Sequence, residues 1–207
     1  YSVHYRQFLD TARRERLANK EIIRQAEIAG FHPLADFTSL KAGDKVYWDQ
    51  KGKSVILAVI GSAPIEKGLK IVGSHIDCPR LDVKAMPVVE KNKIVYFKTH
   101  YYGGLLKYQW VCLPLSLVGV VYKADGSRVD VSIGEDPGDP VLFINDLLPH
   151  LGKDQAAKKL SEAISGEMLM PLAGTNGEGD KTKPANLTLL KEKSRIEEED
   201  FTSSALA

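Results

Sequence analysis

The chain has 207 residues, 43% of them hydrophobic and 27% charged, enough to bury one or two cores of its own. Its 28 Lys and Arg balance 27 Asp and Glu to a formal charge of +1, which argues against nucleic acid and anionic membranes, since both select a basic excess. Two cysteines, no apolar run near the roughly 20 residues of a membrane span and no apolar leader together point to a cytoplasmic globular protein with reduced thiols.

The first predicted element is one helix from Tyr5 to Ala29. It holds no Gly or Pro, and Phe8, Leu9, Ala12, Leu17, Ile22, Ile23, Ala26 and Ala29 recur near helical spacing. Gly30 stands where a helix C-terminal glycine belongs, and Pro33 follows. Lys45 to Trp48, the turn Asp49 to Lys53 and Ser54 to Ile60 read as a hairpin. The returning strand is almost continuously apolar, the pattern of a strand buried on both faces. Leu69 to Gly73 reads as another short buried strand, and a polar cluster begins at its C-terminal end, where α/β sheets build their sites.

Beyond Pro79 the texture turns β-rich. Ile94 to Phe97, Val111 to Val121 and Val129 to Ile133 read as strands, with a turn at Lys123 to Gly126. A helix is expected over Lys153 to Ile164, with Ala157, Leu160 and Ile164 on one face, and a surface loop over Gly174 to Asp180. The expected boundary lies near residue 90, giving parts 1–89 and 90–207.

The segment that carries chemistry is Gly73-Ser74-His75-Ile76-Asp77-Cys78-Pro79-Arg80. A His at a strand end can ligate zinc through one ring nitrogen, and a carboxylate two residues on can orient that imidazole through the other. His-x-Asp alone is a common pair that is often structural; the preceding Gly-Ser and the following Pro, which favours an extended chain, give it weight.

At these residues the chain resembles the aspartyl aminopeptidase family of zinc metalloaminopeptidases in its bacterial branch. Gly73 through Lys84 is similar to that family's Ser-His-x-Asp-Ser-Pro-x-Leu-x-x-Lys block, with Cys78 where Ser is usual. Thr99-His-Tyr-Tyr-Gly-Gly104, followed by Lys107 to Trp110, resembles its Tyr-Gly-Gly block, and Asp146-Leu-Leu-Pro-His-Leu151 resembles a third. The resemblance implies an α/β catalytic domain, here 1–89 in part, interrupted by a mostly β dimerisation domain, here 90–207. It also implies two Zn2+ per complete active site, peptide substrates, and a dimer-based homo-oligomer that reaches a dodecamer. Family members favour acidic N-terminal residues, or in some cases neutral ones.

In that family the metals are held by a His, a bridging Asp, a Glu, a further Asp and a second His, and a neighbouring Glu is the general base. Only the first His and its supporting Asp precede the inserted domain. They map to His75 as metal ligand and Asp77 as its catalytic partner. His150 is expected to reach into a neighbouring subunit's active site. The other named ligands have no counterpart, and Glu197-Glu198-Glu199 reads as a solvated acidic turn, so this chain alone is expected to be inactive. The competing reading is a non-catalytic assembly module or inactive fragment.

The remaining candidates have plainer readings. His100 in its Tyr- and Gly-rich turn reads as a packed, hydrogen-bonded side chain, and His4 and His32 as surface residues. Asp82 and Lys84 either line a substrate cleft or form a charged turn. Cys78 reads as a small packing side chain rather than a thiolate ligand. Gly103-Gly104 lacks the remaining residues of a phosphate loop.

Overall fold

The computed structural model of the chain describes residues 1–175, 196 and 198–207. They form two compact units, Tyr1–Cys78 and Pro79–Ala207. Residue 90 lies inside a strand of the second.

The first unit begins with two helices, α1 (Ser2–Thr11) and α2 (Glu15–Ile28), where the sequence pattern implies one. The break is at Ala12 to Arg14. Arg14 is extended at φ −154° and ψ 166°, and its carbonyl accepts the first bond of α2 from the Ala18 N–H at 2.8 Å. Arg13 Nε–H returns to the Asp10 carbonyl at 2.8 Å, so a side chain satisfies a carbonyl in the last turn of α1. The Arg14 residue is only 5% exposed, so burying it is part of what the break achieves. Helix α2 ends as its glycine foretells. Gly30 has φ +84°, its N–H donates to Glu27 O at 3.0 Å, and Phe31 N–H reaches back to Ala26 O at 2.9 Å. These two bonds are a Schellman cap.

Strand β1 (His32–Pro33) pairs in parallel with β2 (Lys45–Gln50), which pairs antiparallel with β3 (Ser54–Val59) in the register Val46↔Ala58 and Trp48↔Ile56. The hairpin is tied to α2 by polar contacts. Asp49 Oδ1 accepts from Asn19 Nδ2 at 2.8 Å and from the Gly52 N–H at 3.0 Å, while an Arg16 guanidinium N–H donates to Lys51 O at 3.1 Å. Two expectations fail here. Strand β3 is not buried on both faces: Ile56 and Val59 are 60% and 61% exposed. Leu69 to Gly73 is not a strand, and Val72 is 100% exposed. An apolar run becomes a buried strand only when neighbours pair with it and layers cover it, and among the described residues β3 is an edge and 69–73 has no ladder partner.

The second unit is β-rich, as its sequence suggested. Its larger sheet is ordered β4-β5-β10-β9-β6, from β4 (Arg80–Lys91), β5 (Ile94–Tyr102), β6 (Pro114–Leu115), β9 (Leu142–Phe143) and β10 (Leu172–Thr175). A smaller sheet places β7 (Leu117–Tyr122) between β8 (Arg128–Ile133) and β11 (Ser204–Leu206). Leu117, Val121, Val131, Ile133 and Leu206 of the smaller sheet pack with Phe97, Ile196 and Phe201 into one core, which Val83 and Leu142 of the larger sheet also join. A second core collects Leu81, Ile144, Ile164 and Leu169.

Strand β4, the longest among the described residues, was not expected, and Pro87 lies within it. Its register slips between Val83↔Thr99 and Val88↔Phe97, and the proline sits in that irregularity, where a missing N–H costs no ladder bond. Val111 to Val121 is not one strand: a turn covers Val111 and Cys112, and β6 and β7 follow. The helix expected over Lys153 to Ile164 is two short ones, α3 (Lys153–Ala156) and α4 (Leu160–Ala163), because Lys159 is extended at φ −61° and ψ 146°. Of its expected apolar face only Ile164 is buried, while Leu160 is 61% exposed. Gly174 and Thr175 close β10 rather than forming a loop, and 176–180 lie outside the described residues. Glu197 is also outside them, whereas Glu198–Ser203 is a 3-10 helix rather than a turn.

Candidate functional site

His75 and Asp77 meet as the spacing requires. His75 Nδ1 lies 3.1 Å from the Asp77 main-chain oxygen and 3.3 Å from its Oδ1. With its proton on Nδ1, the ring donates to this pair of oxygens and keeps the Nε2 lone pair. The His75 side chain is 86% exposed and that of Asp77 45%, so neither is a core residue satisfied by packing. The positioning comes from the loop rather than from a strand end. One residue further on, Cys78 Sγ–H donates to the Arg13 carbonyl at the break between α1 and α2.

That donor set fits one corner of a zinc site: an imidazole with a free nitrogen and a carboxylate that fixes its orientation. Among the described residues no group of three or more His, Cys, Asp or Glu is arranged to hold a metal ion.

The other candidates lie in the second unit. Asp82 and Lys84 belong to β4 rather than to a charged turn. Asp82 Oδ1 accepts from Arg80 Nε at 2.7 Å, and the Arg80 guanidinium also lies over the Tyr102 ring, 4.2 Å from its centroid. Lys84 Nζ is 3.7 Å from Glu167 Oε1. His100 is not in a turn but in β5, directly across from Asp82 in the ladder, exposed, with its ring stacked 5.7 Å from that of Tyr101. Gly103 does turn the chain, at φ +77°, against Pro79. His150 is exposed beside Leu148 and Leu151, themselves 65% and 70% exposed, in a loop that Asp146 braces by accepting from the Leu147 N–H and Gln155 Nε2. His4 and His32 are exposed, as expected.

The sequence reading missed the partner of Cys78. A thiol in the position that Ser occupies in the resembling block is a hydrogen-bond donor of the same kind, and that equivalence was the available signal.

Comparison with known proteins gives these blocks a common origin. A family model described as aminopeptidase I zinc metalloprotease (M18) matches residues 8–207. A probable M18 family aminopeptidase 1 from Borrelia garinii is 43% identical over 211 residues, covering 100% of this chain and 46% of the relative. A crystal structure of an M18 family aminopeptidase from Thermotoga maritima superposes with a TM-score of 0.91 at 42% identity, over 99% of this chain and 46% of that one. A Saccharomyces cerevisiae structure described as an mApe1 dodecamer shares the fold, with a TM-score of 0.64 at 16% identity over 97% of this chain and 45% of that one. The chain thus spans about half the length of the curated relatives it matches. From the His-x-Asp loop at residues 75–77 to the paired sheets beyond it, this chain belongs to the M18 family of aminopeptidase I zinc metalloproteases, of which it forms an N-terminal half.

Proposed function

We propose that the protein containing this chain is a zinc aminopeptidase that releases N-terminal amino acids from peptides. The supporting observation is the His75–Asp77 pair, in which one carboxylate-bearing residue orients an exposed imidazole through Nδ1. His75 would ligate zinc through Nε2. Asp77 is its positioning partner, holding the ring in the tautomer that leaves Nε2 free. A bound zinc pair, two per complete site, supplies Lewis acidity and lowers the pKa of a bound water. This chain's contribution is orientation at one ligand; the proton-accepting Glu and the other ligands belong to the family pattern beyond it.

The first unit is then part of the catalytic domain and the second the inserted dimerisation domain, in a homo-oligomer built on dimers; the yeast structure is described as a dodecamer. The exposed loop of Leu147, Leu148, His150 and Leu151 supports that role, with His150 presented to a neighbouring subunit's site. The reading places the protein in the cytoplasm, where Cys78 and Cys112 stay reduced. No helix among the described residues is long and apolar enough to cross a membrane.

With only one oriented imidazole, the isolated chain binds zinc weakly and does not hydrolyse peptides. The assay is amino acid release from an unblocked peptide by the full-length protein, before and after chelation. Loss on chelation and recovery with added zinc support the reading, while undiminished release from metal-stripped protein would contradict it.

A further inference from the structure

The break between α1 and α2 and the thiol of Cys78 meet at one bond. In an uninterrupted helix the Arg13 carbonyl would accept from the Leu17 N–H, four residues on. Nothing in the local sequence forbids that continuation, since Tyr5 to Ala29 contains no Gly or Pro. The chain instead becomes extended at Arg14, and the released Arg13 carbonyl accepts the Cys78 S–H. Cys78 is half-buried and directly follows Asp77, whose carbonyl and carboxylate both face His75 Nδ1. Pro79 restricts the Cys78 backbone to extended conformations, so fixing its side chain also fixes the direction in which the Asp77 peptide points.

We propose that Cys78 is a positioning residue for the zinc ligand: its bond to the carbonyl freed at the helix break anchors the His75–Asp77 loop to the body of the first unit. The inference rests on the zinc aminopeptidase reading and extends it to a residue and a helix break with no assigned role. It also gives the reason a Ser is equivalent at this position. What is needed is a short side chain with a proton to donate, so the thiol acts as a donor and not as a metal ligand or packing group.

The test uses the full-length protein with Cys78→Ala and Cys78→Ser, reading zinc affinity by competition with a chelator alongside kcat and KM. Zinc affinity in Cys78→Ala is expected to fall about tenfold, the lower end of the effect of losing an outer partner of a metal ligand, with KM little changed. Cys78→Ser is expected to stay within about threefold of wild type, the rescue that a donor role requires. Wild-type affinity in Cys78→Ala, or an equal loss in both variants, would overturn the role. Should Cys78→Ala fail to fold, the infrared S–H stretch of the wild-type protein decides, assigned by its loss in Cys78→Ser. A band below that of the exposed Cys112 thiol supports the bond, and coincident bands would overturn it. If wild-type protein bound no zinc, the aminopeptidase reading would fall and this inference with it. If wild type and Cys78→Ala bound zinc alike, only the positioning role would fall.

Discussion

At the scale of single residues, the proposed function gives His75 and Asp77 unequal roles, and mutation should show it. Removing the imidazole would then delete a direct ligand, whereas Asp77→Asn keeps an oxygen near Nδ1 and leaves the main-chain contact at 3.1 Å untouched. In the full-length protein His75→Ala should lower turnover by orders of magnitude. Asp77→Asn should weaken zinc by about 10–100-fold. Metal content and turnover measured on both variants check this, and equal effects would show that Asp77 does more than orient. Gly166 offers a residue-scale test of packing. A Cβ there would meet the Tyr101 ring at 2.8 Å, but that ring is 42% exposed and has room to turn away, so Gly166→Ala should cost no more than about 1 kcal/mol in the second unit. Denaturant titration should find most of that cost absent in a Tyr101→Ala background, because the clash is with that ring.

At the scale of elements, what the sequence made legible depended on whether the determinant was local. The cap of α2 was readable because only a residue tolerant of φ +84° serves there, and Gly30 is that residue. The turn at Lys123 to Gly126 was readable for the same reason, with Gly126 at φ +82° and its N–H bonded to Lys123 O at 2.9 Å. The split of the first helix was not readable, because what accompanies it is non-local: Arg14 is buried and the Arg13 carbonyl meets a thiol 65 residues away. Strand β4 was not expected; it carries Pro87, whose tolerance depends on a register slip against β5 that no local pattern announces. The His75–Asp77 contact was expected from the spacing, its flanking residues and the resemblance together, whereas the mate of Cys78 was not. Helix α2 also carries a pH-sensitive contact. Glu21 accepts from Arg24 Nε and Nη2, each at 2.7 Å, and from Gln25 Nε2 at 2.8 Å. These bonds, that from Arg24 foremost, hold its carboxyl down from the ordinary 4.5 to about 2. A carboxyl depressed on folding stabilises the native state above its unfolded pKa, and the benefit drains away as pH falls through the folded one. Melting temperatures of wild type and Glu21→Gln should therefore differ most above pH 4.5 and converge toward pH 2. The Arg24 side chain is 59% exposed, so solvent screens part of the pair and the difference should be modest.

At the scale of the whole molecule, large apolar side chains are exposed in both units. In the first unit they include Ile56 and Val59 of β3 and Leu69, Ile71 and Val72; in the second they include Leu147, Leu148 and Leu151 around His150. The exposed Leu148 and Leu151 beside His150 are the residues on which the assembly reading can be tested. Under the proposed function the second unit forms the principal subunit contact, so the full-length protein should self-associate in solution. Replacing Leu148 and Leu151 with Ser should weaken that association while leaving each unit folded, because both side chains already face solvent here. Small-angle scattering over a concentration series checks both statements, and a concentration-independent monomer would count against the assembly reading.

The central claim is that the protein cleaves peptides from a free N-terminus using a zinc site to which His75 contributes. The most direct measurement follows release of free amino acids by the full-length, zinc-loaded protein from one peptide in unblocked and N-acetylated forms. Rapid release from the unblocked peptide, none from the acetylated one, and loss of both rate and zinc in His75→Ala are the predicted result. Equal cleavage of the two peptides would contradict the aminopeptidase assignment, and undiminished activity in His75→Ala would contradict the role of the His75–Asp77 loop.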